Sequence, residues 1–146
     1  MFIFLSTPIS DCVCHNSIHN YKGAISLLVE RMRKSHMVWS EIERIASQND
    51  YETPENSIQK DLHAIQSCDL FVLHYPHKVP TSALIELGFA IANNKRIIVI
   101  TPKISTLPFL AQGINALRSD SIIIDSERLD NDTIDRIMSV LEFREA

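Results

Sequence analysis

Glu86 is the residue whose type and neighbours best suit it to chemistry. It stands in Ser82-Ala83-Leu84-Ile85-Glu86-Leu87-Gly88-Phe89-Ala90, and the apolar run Cys68-Asp69-Leu70-Phe71-Val72-Leu73-His74-Tyr75-Pro76 lies just ahead of it. The first segment has helical spacing, with Thr81 or Ser82 available as a cap, so Glu86 falls about one turn into a helix. The second reads as a buried strand that Pro76 stops. A carboxylate near a helix amino end is stabilised as an anion, and that end belongs at the carboxyl edge of a parallel sheet, where open α/β sheets bind ligands. There it can attack the anomeric carbon of a sugar, because the oxocarbenium-like transition state needs a nearby negative charge and accepts a covalent bond. A first-turn glutamate also stabilises its own helix, so periodicity alone leaves both roles open.

Other polar residues fall near the same edge. Ser6 and Thr7 close the first strand and line a pocket there, while His74 and Tyr75 end the strand before Glu86, and Ser82 opens its helix. Each also has an ordinary role, in turn chemistry or as a strand-end residue. Asp69 begins its strand and so lies at the opposite edge, where it caps or pairs. Cys12-x-Cys14, with His15 and His19 nearby, lacks the two-residue gap of common zinc and redox motifs, and no metal site is expected. Three glycines and no Gly-x-Gly-x-x-Gly leave a dinucleotide-binding turn without its residues, and no Walker loop, nucleophile elbow or His-Glu-x-x-His is present. No cofactor is expected.

The elements that must position these residues follow from hydrophobic pattern. Phe2 to Leu5, Met37 to Trp39, Asp69 to Tyr75, Arg96 to Thr101 and Ser121 to Asp125 are short apolar runs that do not alternate, as strands covered on both faces should read. Helical spacing runs through Tyr21 to His36, Asn56 to Ser67, Ser82 to Asn93 and Leu129 to Phe143, with a shorter helix over Pro108 to Leu117. Asn56 or Ser57 is the expected cap of the second of these. Glu41 to Gln48 is read as a short helix within a polar stretch, Ser40 to Ser57, that is either a surface loop or a lid. The loop from Ser6 to Asn20 is long and polar. Strands alternating with helices give an α/β fold: one domain over residues 1–146, a three-layer α/β/α sandwich with a parallel five-stranded sheet, expected in the order 2-1-3-4-5.

The 146 residues and 45% hydrophobic content suit one domain with a core, and the net charge of −4 offers no basic field for duplex nucleic acid. A small ligand or protein partner fits better. The apolar start has no preceding basic residue and turns polar at once, so neither a membrane segment nor a signal peptide is read, and a cytoplasmic location is expected.

Ile3-Phe4-Leu5-Ser6-Thr7-Pro8, Asp61-x-x-x-Ile65-x-x-Cys68-Asp69-Leu70-Phe71-Val72-Leu73 and Ser82-Ala83-Leu84-Ile85-Glu86-Leu87-Gly88-Phe89-Ala90 together resemble the nucleoside 2-deoxyribosyltransferase family and its N-glycosidase relatives, which include deoxynucleoside 5′-phosphate hydrolases and some bacterial antiviral effectors. The resemblance implies a Rossmann-like domain in which Glu86 is the nucleophile and Ser6, Thr7 and Pro8 open the nucleoside pocket, with His74, Tyr75 and Ser82 nearby. It further implies a nucleoside or nucleotide substrate and a homo-oligomer. Where the family often carries Gly-Thr or Gly-Ser before the catalytic helix, this chain has Pro80-Thr81-Ser82. Ile65-Gln66-Ser67-Cys68-Asp69 and Ser82-Ala83-Leu84-Ile85-Glu86 also resemble TIR domains that hydrolyse NAD; that likeness again makes Glu86 the carboxylate and changes only the substrate. A nucleotide-sensing or protein-interaction module without turnover is the reading from a different class.

Overall fold

In the computed structural model, which describes residues 1–9, 18–42 and 52–142, five parallel strands form one sheet in the order β2-β1-β3-β4-β5. The strands are β1 (Phe2–Ser6), β2 (Met37–Ser40), β3 (Leu70–His74), β4 (Arg96–Thr101) and β5 (Ile122–Asp125). The α-helices between and after them are α1 (Ile18–Arg33), α2 (Pro54–Ser67), α3 (Ala83–Ala92) and α4 (Asn131–Glu142). Cys12, Cys14, the side chains of His15 and His19, most of the expected helix from Glu41 to Gln48 and the end of the last helix at Phe143 lie outside the described residues.

Side-chain alternation divides the core in two. Ile3, Leu5, Leu70, Val72, Ile98 and Ile100 point to one face and pack against α1 and α4 through Ile25, Leu28, Met32, Ile134, Ile137 and Leu141. Phe4, Phe71, Leu73, Tyr75, Ile97 and Val99 point to the other and pack against α2 and α3 through Ala64, Ile65, Ala83, Leu87 and Ala90. Each large side chain so buried contributes roughly 1.5–3 kcal/mol. The lack of alternation in Arg96-Ile97-Ile98-Val99-Ile100-Thr101 is explained by burial on both sides.

Several elements differ from expectation: α1 covers Ile18–Arg33 rather than Tyr21 to His36, α4 begins at Asn131 rather than Leu129, and two further differences have a local cause. Helix α2 starts at Pro54 rather than Asn56, because a proline with its φ already fixed suits the first turn; Thr53 caps it, its hydroxyl accepting from Asn56 N at 3.3 Å. The segment from Phe109–Ala116 is 3-10 in geometry rather than α-helical. Its buried residues, Ala111 and Ile114, are three apart, which matches three residues per turn.

Asp69 serves the amino edge of the sheet. Its Oδ2 accepts from Phe2 N at 2.7 Å while its own N–H donates to Phe2 O at 2.8 Å, so the beginnings of β1 and β3 are tied by a reciprocal pair. Lys95 closes the end of α2, donating to Gln66 O and Cys68 O.

Candidate active site

The order of the sheet reverses at β1. The chain leaves β1 towards α1 on one face and leaves β3 towards α3 on the other, which opens a crevice at the carboxyl ends of these neighbouring strands. Ser6 is the last residue of β1 and lies two positions after Phe4, so it shares the α2/α3 face and stands opposite Leu73 in the register. Helix α3 presents Ala83, Leu87 and Ala90 to the sheet, and Glu86 lies three residues after Ala83 and four before Ala90 on that stripe. Small residues on both sides bring the helix close. The Ser6 hydroxyl accordingly donates to Glu86 Oε2.

Glu86 does not behave as an exposed first-turn carboxylate. Burial pushes its carboxyl up to about 8 from an ordinary value of 4.5; the Ser6 bond opposes this, and the charges of Asp61 and Glu41 reinforce it. Glu86 is therefore largely neutral at pH 7, and desolvation outweighs the stabilisation of the anion expected from the helix end. Glu41 immediately follows β2, two residues beyond Trp39, whose packing also lies on the α2/α3 face. Asp61 comes from α2, one turn before the buried Ala64 and Ile65. Asp61 and Glu41 were not among the site residues read from the sequence. For Asp61 the signal was there, since a carboxylate at i−3 and i−4 to buried residues sits on the inner stripe of its helix.

The remaining candidates are placed as follows. Thr7 and Pro8 follow Ser6 and are buried. His74 is only 8% exposed and is flanked by Leu73 and Tyr75, which both point to the α2/α3 face, so alternation turns it to the α1/α4 side, away from Glu86. Burial, with the charge of His77 second, lowers it to about 4 and keeps it neutral at pH 7. Tyr75 is 1% exposed, and its hydroxyl donates to Val79 O at 2.7 Å and accepts from Val79 N at 3.0 Å. Ser82 is exposed and makes no side-chain cap bond; Thr81 Oγ1 instead accepts from Ala83 N at 3.3 Å. Ser6 and Glu86 are thus brought into contact, Thr7 and Pro8 adjoin them, and Tyr75 and Ser82 belong to the connection that leads into α3. Among the described residues no three side chains of the metal-binding types converge, and no helix is long and apolar enough to cross a membrane.

The five-stranded parallel sheet, its order and its two helical layers define a flavodoxin-like α/β sandwich. Two solved structures share this fold over nearly their whole length. The CMP N-glycosidase BcmB of Clostridium botulinum aligns with a TM-score of 0.67 at 20% identity, covering 94% of this chain and 98% of that one. The solution structure of BlsM aligns with a TM-score of 0.73 at 20% identity, covering 99% of this chain and 93% of that one. No family model matches the sequence, and no curated protein matches it.

Proposed function

We propose that this protein cleaves the N-glycosidic bond of a nucleoside or nucleotide, with Glu86 as nucleophile. The observation that carries the reading is the contact between Ser6 and Glu86 at the reversal point of the sheet, where a partly sequestered carboxylate meets a hydroxyl that favours its anion. The fold shared with a CMP N-glycosidase supports it. In the reaction a Glu86 oxygen bonds to the anomeric carbon as the carbon–nitrogen bond breaks, and the electron pair leaves with the base, which takes a proton from solvent. Water then hydrolyses the glycosyl ester, freeing the sugar, restoring the carboxylate and returning a proton. In the transfer variant a second base replaces water. Ser6, Thr7 and Pro8 form the sugar-facing wall, with Ser82 at its margin, while His74, turned to the other face of the sheet, takes no part. Neutral Glu86 cannot attack, so its proton must leave first.

The same raised carboxyl favours a second reading, in which neutral Glu86 protonates the leaving base. The two differ in sign: kcat/KM climbs through about pH 8 for a nucleophile and falls through it for an acid. Incubation with CMP, cytidine, their 2′-deoxy forms and NAD, followed by chromatography of free base, tests the function. Base release that drops by roughly four orders of magnitude in Glu86→Gln is expected. Release at the wild-type rate in that variant, or from none of these compounds, overturns the reading.

The assembly belongs to the same proposal. Phe109 and Leu110 are each 86% exposed, an apolar pair that a second copy of the chain would cover. Light scattering of the wild type and of Phe109→Ser distinguishes a dimer from a monomer.

A further inference from the structure

We propose that Tyr75 is a positioning residue for Glu86: its hydroxyl clamps the loop that leads into α3, and so holds the carboxylate against Ser6. The inference rests on the N-glycosidase reading for its catalytic consequence, but its geometry stands independently. Tyr75 is anchored to β4 twice, its N–H donating to Ile100 O at 2.9 Å and its carbonyl accepting from Thr101 Oγ1 at 2.9 Å. From that fixed base the ring is buried among the residues of the α2/α3 core, and the hydroxyl bonds both backbone groups of Val79. The five residues 75–79 are thereby closed into a ring.

Two backbone donors are missing from the connection. Pro76 and Pro80 bring no N–H, and the first turn of α3 receives no side-chain bond from Ser82. Thr81 and its bond to Ala83 N come only two residues after Val79. The clamp therefore sets where the helix begins. Glu86 lies on the first turns of that helix and must reach past β3 to meet Ser6 on β1, so a small shift at Val79 is carried to the carboxylate. Misplacement of a reacting group by about 1 Å can cost as much as 100-fold in rate.

Tyr75→Phe removes the hydroxyl and leaves the ring in the core. The expected result is a fall of about tenfold or more in kcat with little change in KM, since substrate contacts are untouched. The groups that face Glu86 are Ser6 from β1, Glu41 after β2 and Asp61 from α2. With all three still present, loosening α3 admits water and moves the Glu86 carboxyl, followed by carbon NMR, down towards its ordinary value. Ile137→Val, a core change on the opposite face, lowers Tm without moving that titration. If Tyr75→Phe does not fold, Thr101→Val releases the same anchor and is expected to move the titration the same way. A Glu86 titration at the wild-type position in the folded variant overturns the proposal. Absence of cleavage by the wild type overturns only the N-glycosidase reading, because the titration needs no substrate.

Discussion

The hydroxyl of Ser6 donates to Glu86 Oε2 although the two residues stand 80 positions apart in sequence, joining the end of β1 to the first turns of α3 across β3. The bond spans a site that costs stability. With the carboxyl at about 8 in the folded chain and 4.5 when unfolded, the folded state keeps a proton that the unfolded state has released throughout that interval. Stability therefore falls as pH rises through the window, by at most about 1.4 kcal/mol per pH unit. Glu86→Gln keeps the shape and the Ser6 contact without the ionisation. Urea melts across the window are expected to show a flattened pH dependence and a variant more stable than the wild type above pH 8, even as it loses activity.

His74 contributes the opposite limb. Its folded value of about 4 lies below the ordinary 6.5, so between them the unfolded state holds the extra proton and stability rises with pH. Between 4.5 and 6.5 the two groups oppose one another, which leaves a broad maximum with His74 governing the acid side and Glu86 the alkaline side. His74→Gln is expected to abolish the acid limb alone. Melts of the single and double variants separate the two contributions.

What could be read from the chain itself follows from how each feature is encoded. A parallel sheet with two covered faces was legible because Arg96-Ile97-Ile98-Val99-Ile100-Thr101 and its counterparts do not alternate, and the order 2-1-3-4-5 followed from placing the first, third and fourth strands in the middle. Glu86 was legible through its place about one turn into the helix expected over Ser82 to Asn93, although the buried stripe expected there, Leu84, Leu87, Ala90 and Ile91, is in fact Ala83, Leu87 and Ala90. Its environment was not: helix position alone argues for a stabilised anion, whereas the carboxyl is raised by burial, with the charges of Asp61 from α2 and Glu41 after β2 adding to it. Tyr75 illustrates the same limit. A tyrosine at the ligand edge of a strand reads as a binding group, and only the fold of residues 75–79 reveals that Val79 takes both bonding capacities of its hydroxyl.

Asp61 and Ser6 act on Glu86 with opposite sign, so their removal should move its titration in opposite directions. Asp61→Asn removes a negative charge that raises the carboxyl, and its value is expected to fall. Ser6→Ala removes a bond to the anion, and the value is expected to rise. Glu41→Gln should act as Asp61→Asn does, with the smaller effect. Carbon NMR of the Glu86 carboxyl reads all three, and under nucleophilic catalysis the rising limb of kcat/KM moves with them.

Asp69 stands in the same segment as His74 and Tyr75 but belongs to the opposite edge of the sheet. Its reciprocal bonds with Phe2 join the first residue of β1 to the residue just before β3, the two strands whose far ends frame the crevice. Asp69→Ala leaves Phe2 N without its 2.7 Å acceptor but preserves the backbone bond from residue 69 to Phe2 O. Because the side-chain bond is exposed to solvent, water replaces part of it, and the loss of stability is expected to be about 1 kcal/mol. The clamp lies a full strand length from Ser6, so specific activity per folded molecule and the Glu86 titration should match the wild type. A loss of activity at full folding would place Asp69 in the catalytic machinery and contradict this assignment; urea melts paired with base-release rates on the same preparation decide it.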